Sequence, residues 1–215
     1  DVIFDTLDGR KRVSTKILVG ADGANSKIRR SLKMATSIPK YTGIEWFVNV
    51  EDHYMEPVFN ILLDAELSDY YMWSVPKGKH LHVGGAFQGL SDTSAIPGKL
   101  VRHLKRLGAL PEKFTIDKMW AHPISRASSA NDIYFGTGSV HLVGEASGLI
   151  CPTSAEGYSY ALSSSFQLAE HLNEFGQLRL ASPDKDRISK KLLKKRLIYN
   201  ASIRKALFYL MGHKY

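Results

Sequence analysis

The stretch from Val140 to Leu162, VHLVGEASGLICPTSAEGYSYAL, constrains the chain more than any other. Val140, Leu142 and Val143 make a short apolar run that stops at Gly144. Small residues follow, and from Ala155 the apolar positions return at helical spacing through Ala161, Leu162, Leu168, Ala169 and Leu172. The pattern predicts a strand, a tight loop and a helix. Gly144, Ala146, Ser147, Gly148 and Gly157 let the loop backbone approach a bulky ligand, and the helix that follows points its partly positive N-terminus at the same place. An electron-rich ring or a phosphate suits such a spot. The carboxylate of Glu145, at the end of the strand, suits a sugar-like hydroxyl. A plain strand-to-helix turn with a capping carboxylate has the same pattern.

The first residues predict a β-hairpin. Val2, Phe4 and Thr6 alternate with Ile3, Asp5 and Leu7, Asp8-Gly9 makes a turn, and a second strand runs from about Arg12 to Val19. In VGADGANSKIRRSL, directly after it, Gly20 and Gly23 punctuate a turn and Asn25 or Ser26 caps a short helix through Arg29 and Leu32.

This second segment resembles the Asp-Gly motif, G-A-D-G-x-x-S-x-x-R, of the FAD enzymes that include aromatic hydroxylases and geranylgeranyl reductases. Gly20, Ala21, Asp22, Gly23, Ser26 and Arg29 meet all of its fixed positions. The later stretch resembles the second flavin motif of the same class, G-D-A-A-G followed by Pro and a Gly-rich helix start, with Glu145 in place of Asp and Ser147 in place of the second Ala. The resemblance implies FAD as cofactor. It assigns Asp22, Gly23 and Arg29 to the cofactor site from the first motif, and Gly144, Glu145, Ala146, Gly148, Pro152, Glu156 and Gly157 from the second. In that class the acidic residue of the second motif binds the ribityl chain, and the Asp-Gly motif lies by the pyrophosphate. The βαβ unit with G-x-G-x-x-G that precedes the Asp-Gly motif there does not open this chain. The sequence is therefore expected to be the C-terminal part of a longer flavoprotein, binding FAD weakly or not at all by itself.

Between the two motifs the sequence is rich in strands. Tyr41–Val50, Val58–Leu63, Tyr70–Pro76, His80–Gln88 and Met119–Ile124 carry aromatic and β-branched residues, and a helix is predicted from about Ala95 to Leu107 with Leu100, Val101, Leu104 and Leu107 on one face. Short turns between successive strands predict an antiparallel sheet, one face under helices and the other free to wall a pocket. YMWSVPK resembles the Y-x-W-x-F-P-K motif of geranylgeranyl reductases, with Val75 in place of Phe. The resemblance places Tyr71, Trp73 and Pro76 against an isoprenoid chain. Cys151 enters the flavin-side loop, where its thiol either touches ring or substrate or is simply a small buried residue. His80 and His82 share a strand face at period two, but no carboxylate or cysteine at ligand spacing accompanies them, so no metal site is expected.

The net charge of +8 suggests nucleic acid until it is located. Ten of the 29 Lys and Arg residues lie between Asp184 and Tyr215 against Asp184 and Asp186, so the whole excess sits in that tail. A neutral body is a poor match for a nucleic-acid groove, and no such partner is expected. After Ser182-Pro183 a helix is predicted over Asp184–Met211, with Arg187, Lys191, Lys194 and Lys205 on one side and Leu192, Leu193, Leu197, Ile203, Leu207 and Met211 opposite. Such a helix either packs on the body with its basic face solvated or lies on an anionic membrane surface. A single cysteine excludes an internal disulfide, and no apolar run nears the roughly 18 residues that span a bilayer.

The expectation is an α+β chain, the C-terminal portion of an FAD/NAD(P)-binding fold. Residues 1–34 and 126–176 belong to the cofactor domain, 35–125 to an inserted antiparallel-sheet substrate domain and 177–215 to a helical tail. By resemblance the complete protein is a cytoplasmic FAD-dependent oxidoreductase, peripheral to the membrane if the tail binds lipid, that takes electrons from NAD(P)H or another donor and reduces carbon-carbon double bonds of a prenyl or lipid substrate. An aromatic hydroxylase-type monooxygenase and a non-catalytic membrane or partner-binding module are the alternatives.

Overall fold

Alternating residues at the start of the chain build an antiparallel hairpin from β1 (Val2–Thr6) and β2 (Gly9–Val13), which pair from Val2 with Val13 to Thr6 with Gly9. The two-residue loop is Leu7-Asp8, one position earlier than the sequence suggests, because Gly9 takes φ +103° at the first position of β2. Arg10 pairs with Asp5 at 2.9 Å and Arg12 with Asp1, so charges flank an exposed ribbon. The computed structural model describes residues 1–32, 38–68, 70–127, 130–151 and 154–175, with Ala206 by itself. Apart from Ala206, the tail helix predicted over Asp184–Met211 lies outside the described residues, as does Pro152.

The strand predicted from Arg12 to Val19 is broken. Thr15 Oγ1 accepts from the Ile17 amide and donates to the Ile17 carbonyl, a local bond that takes residues 14–17 off the hairpin. The chain resumes as β3 (Leu18–Gly20), and α1 (Lys27–Ser31) follows.

The described residues form two compact units. The first takes 1–32, 131–150 and 156–175; the second takes 38–68, 70–127, 130, 151, 154–155 and 206.

In the first unit β3 pairs in parallel with β10 (Val140–Leu142), Leu18 opposite Val140 and Gly20 opposite Leu142. The short β9 (Gly136–Thr137) closes against β10 from the other side, antiparallel. Gly20 is required by this packing: a Cβ there would stand 2.5 Å from a Leu142 methyl. The long helix α3 (Tyr158–Phe175) packs against the turn that follows β10, starting three residues later than the helical spacing alone suggests.

In the second unit five strands form a wholly antiparallel sheet in the order β5-β6-β7-β4-β8. They are β4 (Lys40–Asn49), β5 (Asn60–Leu62), β6 (Met72–Lys77), β7 (His80–Phe87) and β8 (Thr115–Ser125). One face is the core. Ile44, Trp46 and Val48 of β4, Met72 of β6, and Leu81, Val83 and Phe87 of β7 pack there with Leu100 and Leu104 of α2 (Gly98–Arg106). Burying each of those two leucines stabilises the unit by roughly 1.5–3 kcal/mol. A bulge between Phe47 and Val48 shifts the β4–β8 register and leaves Asp117 opposite no residue of β4. The edge strand β8 is blunted by Lys118, exposed on its flank, and by Pro123, which has no amide to offer a foreign strand.

Candidate functional site

The two glycine-bearing turns emerge side by side from the carboxyl ends of the parallel strands β3 and β10. The Val143 amide donates to the Gly20 carbonyl at 3.0 Å, one step beyond the last paired residues, so the strands release their chains at the same level. In open α/β sheets this end of the strands is where ligands sit.

The first turn is built around Asp22. Its Oδ2 accepts from the amides of Lys27 (2.7 Å) and Ile28 (3.2 Å), while Ser26 Oγ accepts from the Arg29 amide (2.8 Å) and caps α1 as expected. Partial burial pulls the Asp22 carboxyl upward, but hydrogen bonds from Ser26, Ile28 and Lys27 outweigh it and hold the group below its ordinary value. Gly23 takes φ +70°, and a Cβ there would meet no atom within 4 Å, so this backbone borders open space.

The second turn is a 3-10 turn over Gly144–Ser147, closed by Gly148 in the left-handed region at φ +90°. Gly144 itself has φ +54°, and its Cβ would lie 3.2 Å from Ala161 of α3, so both conformation and contact demand glycine. Its amide donates to Ser164 Oγ at 2.9 Å, which ties the turn to α3. Ala146 and Ser147 are buried and Glu145 is half-buried. Glu156 and Gly157 stand at the start of α3. The two carboxylate oxygens of Glu156 accept from the Ser159 amide (2.8 Å) and hydroxyl (2.5 Å), so this side chain caps the helix and its carboxyl is held below the ordinary value. A Cβ at Gly157 would again meet no atom within 4 Å.

Arg29 joins the turns. Its guanidinium is buried and donates to the carbonyls of Ala146 (3.3 Å) and Asp132 (2.8 Å), 6.0 Å from the centre of the Tyr134 ring. Nine of the ten predicted cofactor residues therefore lie in one unit, with Pro152 outside the described residues. Three of them also brace the backbone: Asp22 and Glu156 accept at helix starts and Arg29 donates to backbone carbonyls, serving backbone groups that helices leave unpaired at their ends.

The predicted substrate residues lie in the second unit and do not share one wall. Tyr71 and Trp73 are half-buried neighbours with ring centres 5.8 Å apart and planes 56° apart, tilted and not coplanar. Pro76 falls on the opposite face, since strand residues alternate and Pro76 has the parity of Met72 and Ser74. It borders a hollow of about 180 Å³ with His53, Tyr54, Leu81 and Leu107 on the helix-covered side. Cys151 is half-buried, and its carbonyl accepts from the amide of Ala155, a residue held at φ +56° and packed against Tyr41, Tyr70 and Ala86.

Comparison with solved structures identifies the architecture. A geranylgeranyl bacteriochlorophyll reductase-like protein of Thermoplasma acidophilum superposes over 94% of this chain and 55% of its own, with a TM-score of 0.67 at 16% identity. The myxobacterial FAD-dependent halogenase CndH covers 94% of this chain and 53% of its own (TM-score 0.59, 14% identity). PqsL of Pseudomonas aeruginosa, a probable FAD-dependent monooxygenase, covers 98% and 60% (TM-score 0.52, 17% identity). The chain has the fold of FAD-dependent oxidoreductases. In sequence it is 34% identical over 171 residues to protein CbrA of Escherichia coli O9:H4, and 33% identical over 171 residues to protein CbrA of Shigella sonnei. The matches take 76% of this chain but 43% and 45% of those proteins, so it spans less than half the length of the curated relatives it matches. No protein-family model matches.

Within that oxidoreductase fold, the sheet of the second unit carries polar residues that linear spacing missed. Glu45 of the adjoining strand β4 lies 3.2 Å from His82, and Asp117 of β8, one strand further out, lies 3.0 Å from His80. Both histidines are buried, and Phe47 packs against them at ring-centre distances of 4.2 and 5.8 Å. No group of three or more His, Cys, Asp or Glu able to hold a metal ion occurs among the described residues.

Proposed function

We propose that the full-length protein is an FAD-dependent oxidoreductase that reduces carbon-carbon double bonds of a prenyl or lipid substrate, taking its electrons from NAD(P)H or another donor. One observation carries the reading: the Asp22 and Gly144 turns leave adjacent parallel strands at the same end and are tied together by Arg29. The residues present fit the cofactor. Open space borders the backbone at Gly23 and Gly157, and Gly144 and Gly148 hold left-handed conformations that keep side chains out of the second turn. Asp22, Gly23, Arg29, Gly144, Glu145, Ala146, Gly148, Glu156 and Gly157 would hold FAD, and the motif resemblance adds Pro152. When bound, FAD supplies hydride-transfer chemistry.

The protein's own residues orient and exclude. Asp22 and Glu156 fix the starts of α1 and α3, and Arg29 fixes the height of the second turn through the Ala146 carbonyl. In the second unit, Tyr71 and Trp73 offer an apolar aromatic surface to a hydrocarbon chain, and Pro76 stands on the other face of the strand. Peripheral membrane contact through the basic tail remains part of the proposal. No helix among the described residues is long and apolar enough to cross a membrane.

The test is spectroscopic. Purified full-length protein should carry a flavin absorbance spectrum that bleaches anaerobically with NADPH or NADH and recovers on adding a prenyl substrate, with a saturated product. The presence of hydroxylases and oxygenases among proteins of this fold supports a monooxygenase as the second reading. Stoichiometric oxygen consumption with hydroxylated product would decide for it. Protein that stays colourless after incubation with FAD would overturn both.

A further inference from the structure

Cross-strand pairing sets Trp73, Gly84, Glu45 and Trp120 in a single row across β6, β7, β4 and β8, on the face turned away from α2. The next row is Val75, His82, Phe47 and Lys118. Gly84 has no side chain to separate Trp73 from Glu45. The indole occupies that gap: a Cβ on Gly84 would stand 2.4 Å from its Cζ2. Trp120, on the other flank, is 53% exposed, and Lys118 lies over the Phe47 and Trp120 rings at 4.4 and 5.2 Å. Glu45 is thus a carboxylate walled by aromatic rings, with a side chain 27% exposed.

Among the described residues its one close partner is imperfect. Glu45 Oε2 lies 3.2 Å from His82 Nδ1, yet the nitrogen is buried and makes no hydrogen bond, so the oxygen stands off the direction of the ring nitrogen. A carboxylate in such surroundings is costly unless donors satisfy it, and an ionised carboxylate can only accept. The second carboxylate on this sheet, Asp117, projects from the β4–β8 bulge and reaches His80 at 3.0 Å, adding negative charge beside the row.

We infer that this face binds an amphiphile with an apolar body and a neutral hydroxyl head, the hydroxyl donating to Glu45 and the body lying on Trp73 and Trp120, and that it rejects the same body carrying a phosphate. The inference rests on the reading of this sheet as the substrate wall and narrows the substrate class to alcohols. Flat indole faces take the hydrocarbon, and the acceptor-only carboxylate selects the head. An anionic head would meet Glu45 with no proton to share.

The probes are geraniol and geranyl diphosphate, titrated into the full-length protein and followed by tryptophan fluorescence and calorimetry. Wild type should bind geraniol and prefer it to geranyl diphosphate. Glu45→Leu should weaken geraniol about tenfold or more, ~1.4 kcal/mol, and Glu45→Gln should weaken it and narrow the preference over the diphosphate. Thermal unfolding of each variant guards against misfolding, and Trp120→Ala should also weaken geraniol without touching the core. Equal or tighter binding of geranyl diphosphate by wild type, no binding of geraniol, or unchanged geraniol affinity in folded Glu45 variants would overturn the inference. Flavin content is read on the same samples. Colourless protein with Glu45-dependent geraniol binding sinks the flavin reading alone, whereas flavin-loaded protein lacking that dependence sinks this inference alone.

Discussion

Gly84→Ala should destabilise the second unit by an amount that can be worked from three contacts. A Cβ at this position would lie 2.4 and 2.6 Å from the Cζ2 and Cε2 atoms of Trp73 and 2.7 Å from the Ile44 carbonyl oxygen. Carbon atoms pack comfortably at about 3.5–4.0 Å, so the ring must retreat by about 1 Å or swing out. Rotation about χ1 can relieve that part. The carbonyl contact is different, because Ile44 belongs to β4 and its oxygen can move only if β4 shifts against β7. Carbon-to-carbonyl approaches in sheets normally stop near ~3.3 Å, so about 0.6 Å must come from the ladder itself. Overpacking of a well-filled site costs roughly 1–3 kcal/mol, and the backbone share puts this substitution in the upper half of that range. The assay is urea unfolding followed by circular dichroism, comparing midpoints at constant m. Repeating the substitution in a Trp73→Ala background removes the ring contact and keeps the carbonyl contact, so the cost should fall without vanishing. A Gly84→Ala cost below about 0.5 kcal/mol, within the ordinary scatter of surface changes, would refute the geometry. An unchanged cost in the Trp73→Ala background would refute the role given to the indole.

Ser164→Ala leaves the buried Gly144 amide without its acceptor and should cost about 1–3 kcal/mol, read by the same denaturation, with Ser164→Thr costing less. Arg29→Lys keeps the charge but cannot reach both the Ala146 and Asp132 carbonyls, so a loss on the order of 1–3 kcal/mol is expected; wild-type stability in that variant would remove Arg29 from its joining role. His141 is buried with neither ring nitrogen hydrogen-bonded among the described residues, and burial, then the neighbouring His171, hold its pKa below the ordinary imidazole value. The unfolded chain therefore takes up the proton first: stability is intact above the unfolded pKa of about 6.5 and falls as pH drops from there toward the lower folded value. His141→Leu should flatten that acid limb in thermal unfolding run across pH, and an acid limb identical to wild type would show that another group sets it.

Local chemistry carried what the sequence revealed, and pairing between strands carried what it hid. Asp22 and Ser26 act within six residues of themselves, so the capped turn at α1 could be read from spacing, as could the strand, loop and helix around Gly144. The same spacing could not say which bonds Arg29 would choose, since Ala146 and Asp132 are brought to it only when β3 pairs with β10. His80 and His82 looked unaccompanied because their carboxylates come from β8 and β4, and the bulge that aims Asp117 at His80 leaves no linear signature. Pro76 is parted from Tyr71 and Trp73 for a simpler reason: a motif written as consecutive letters ignores that a strand turns every second side chain away. The paired glycines illustrate how topology gives such letters meaning. A Cβ on Gly84 would strike Trp73, and one on Gly85 would strike Met72 and Phe87, so two adjacent glycines clear space on opposite faces of one sheet, for the candidate substrate wall on one side and the core on the other.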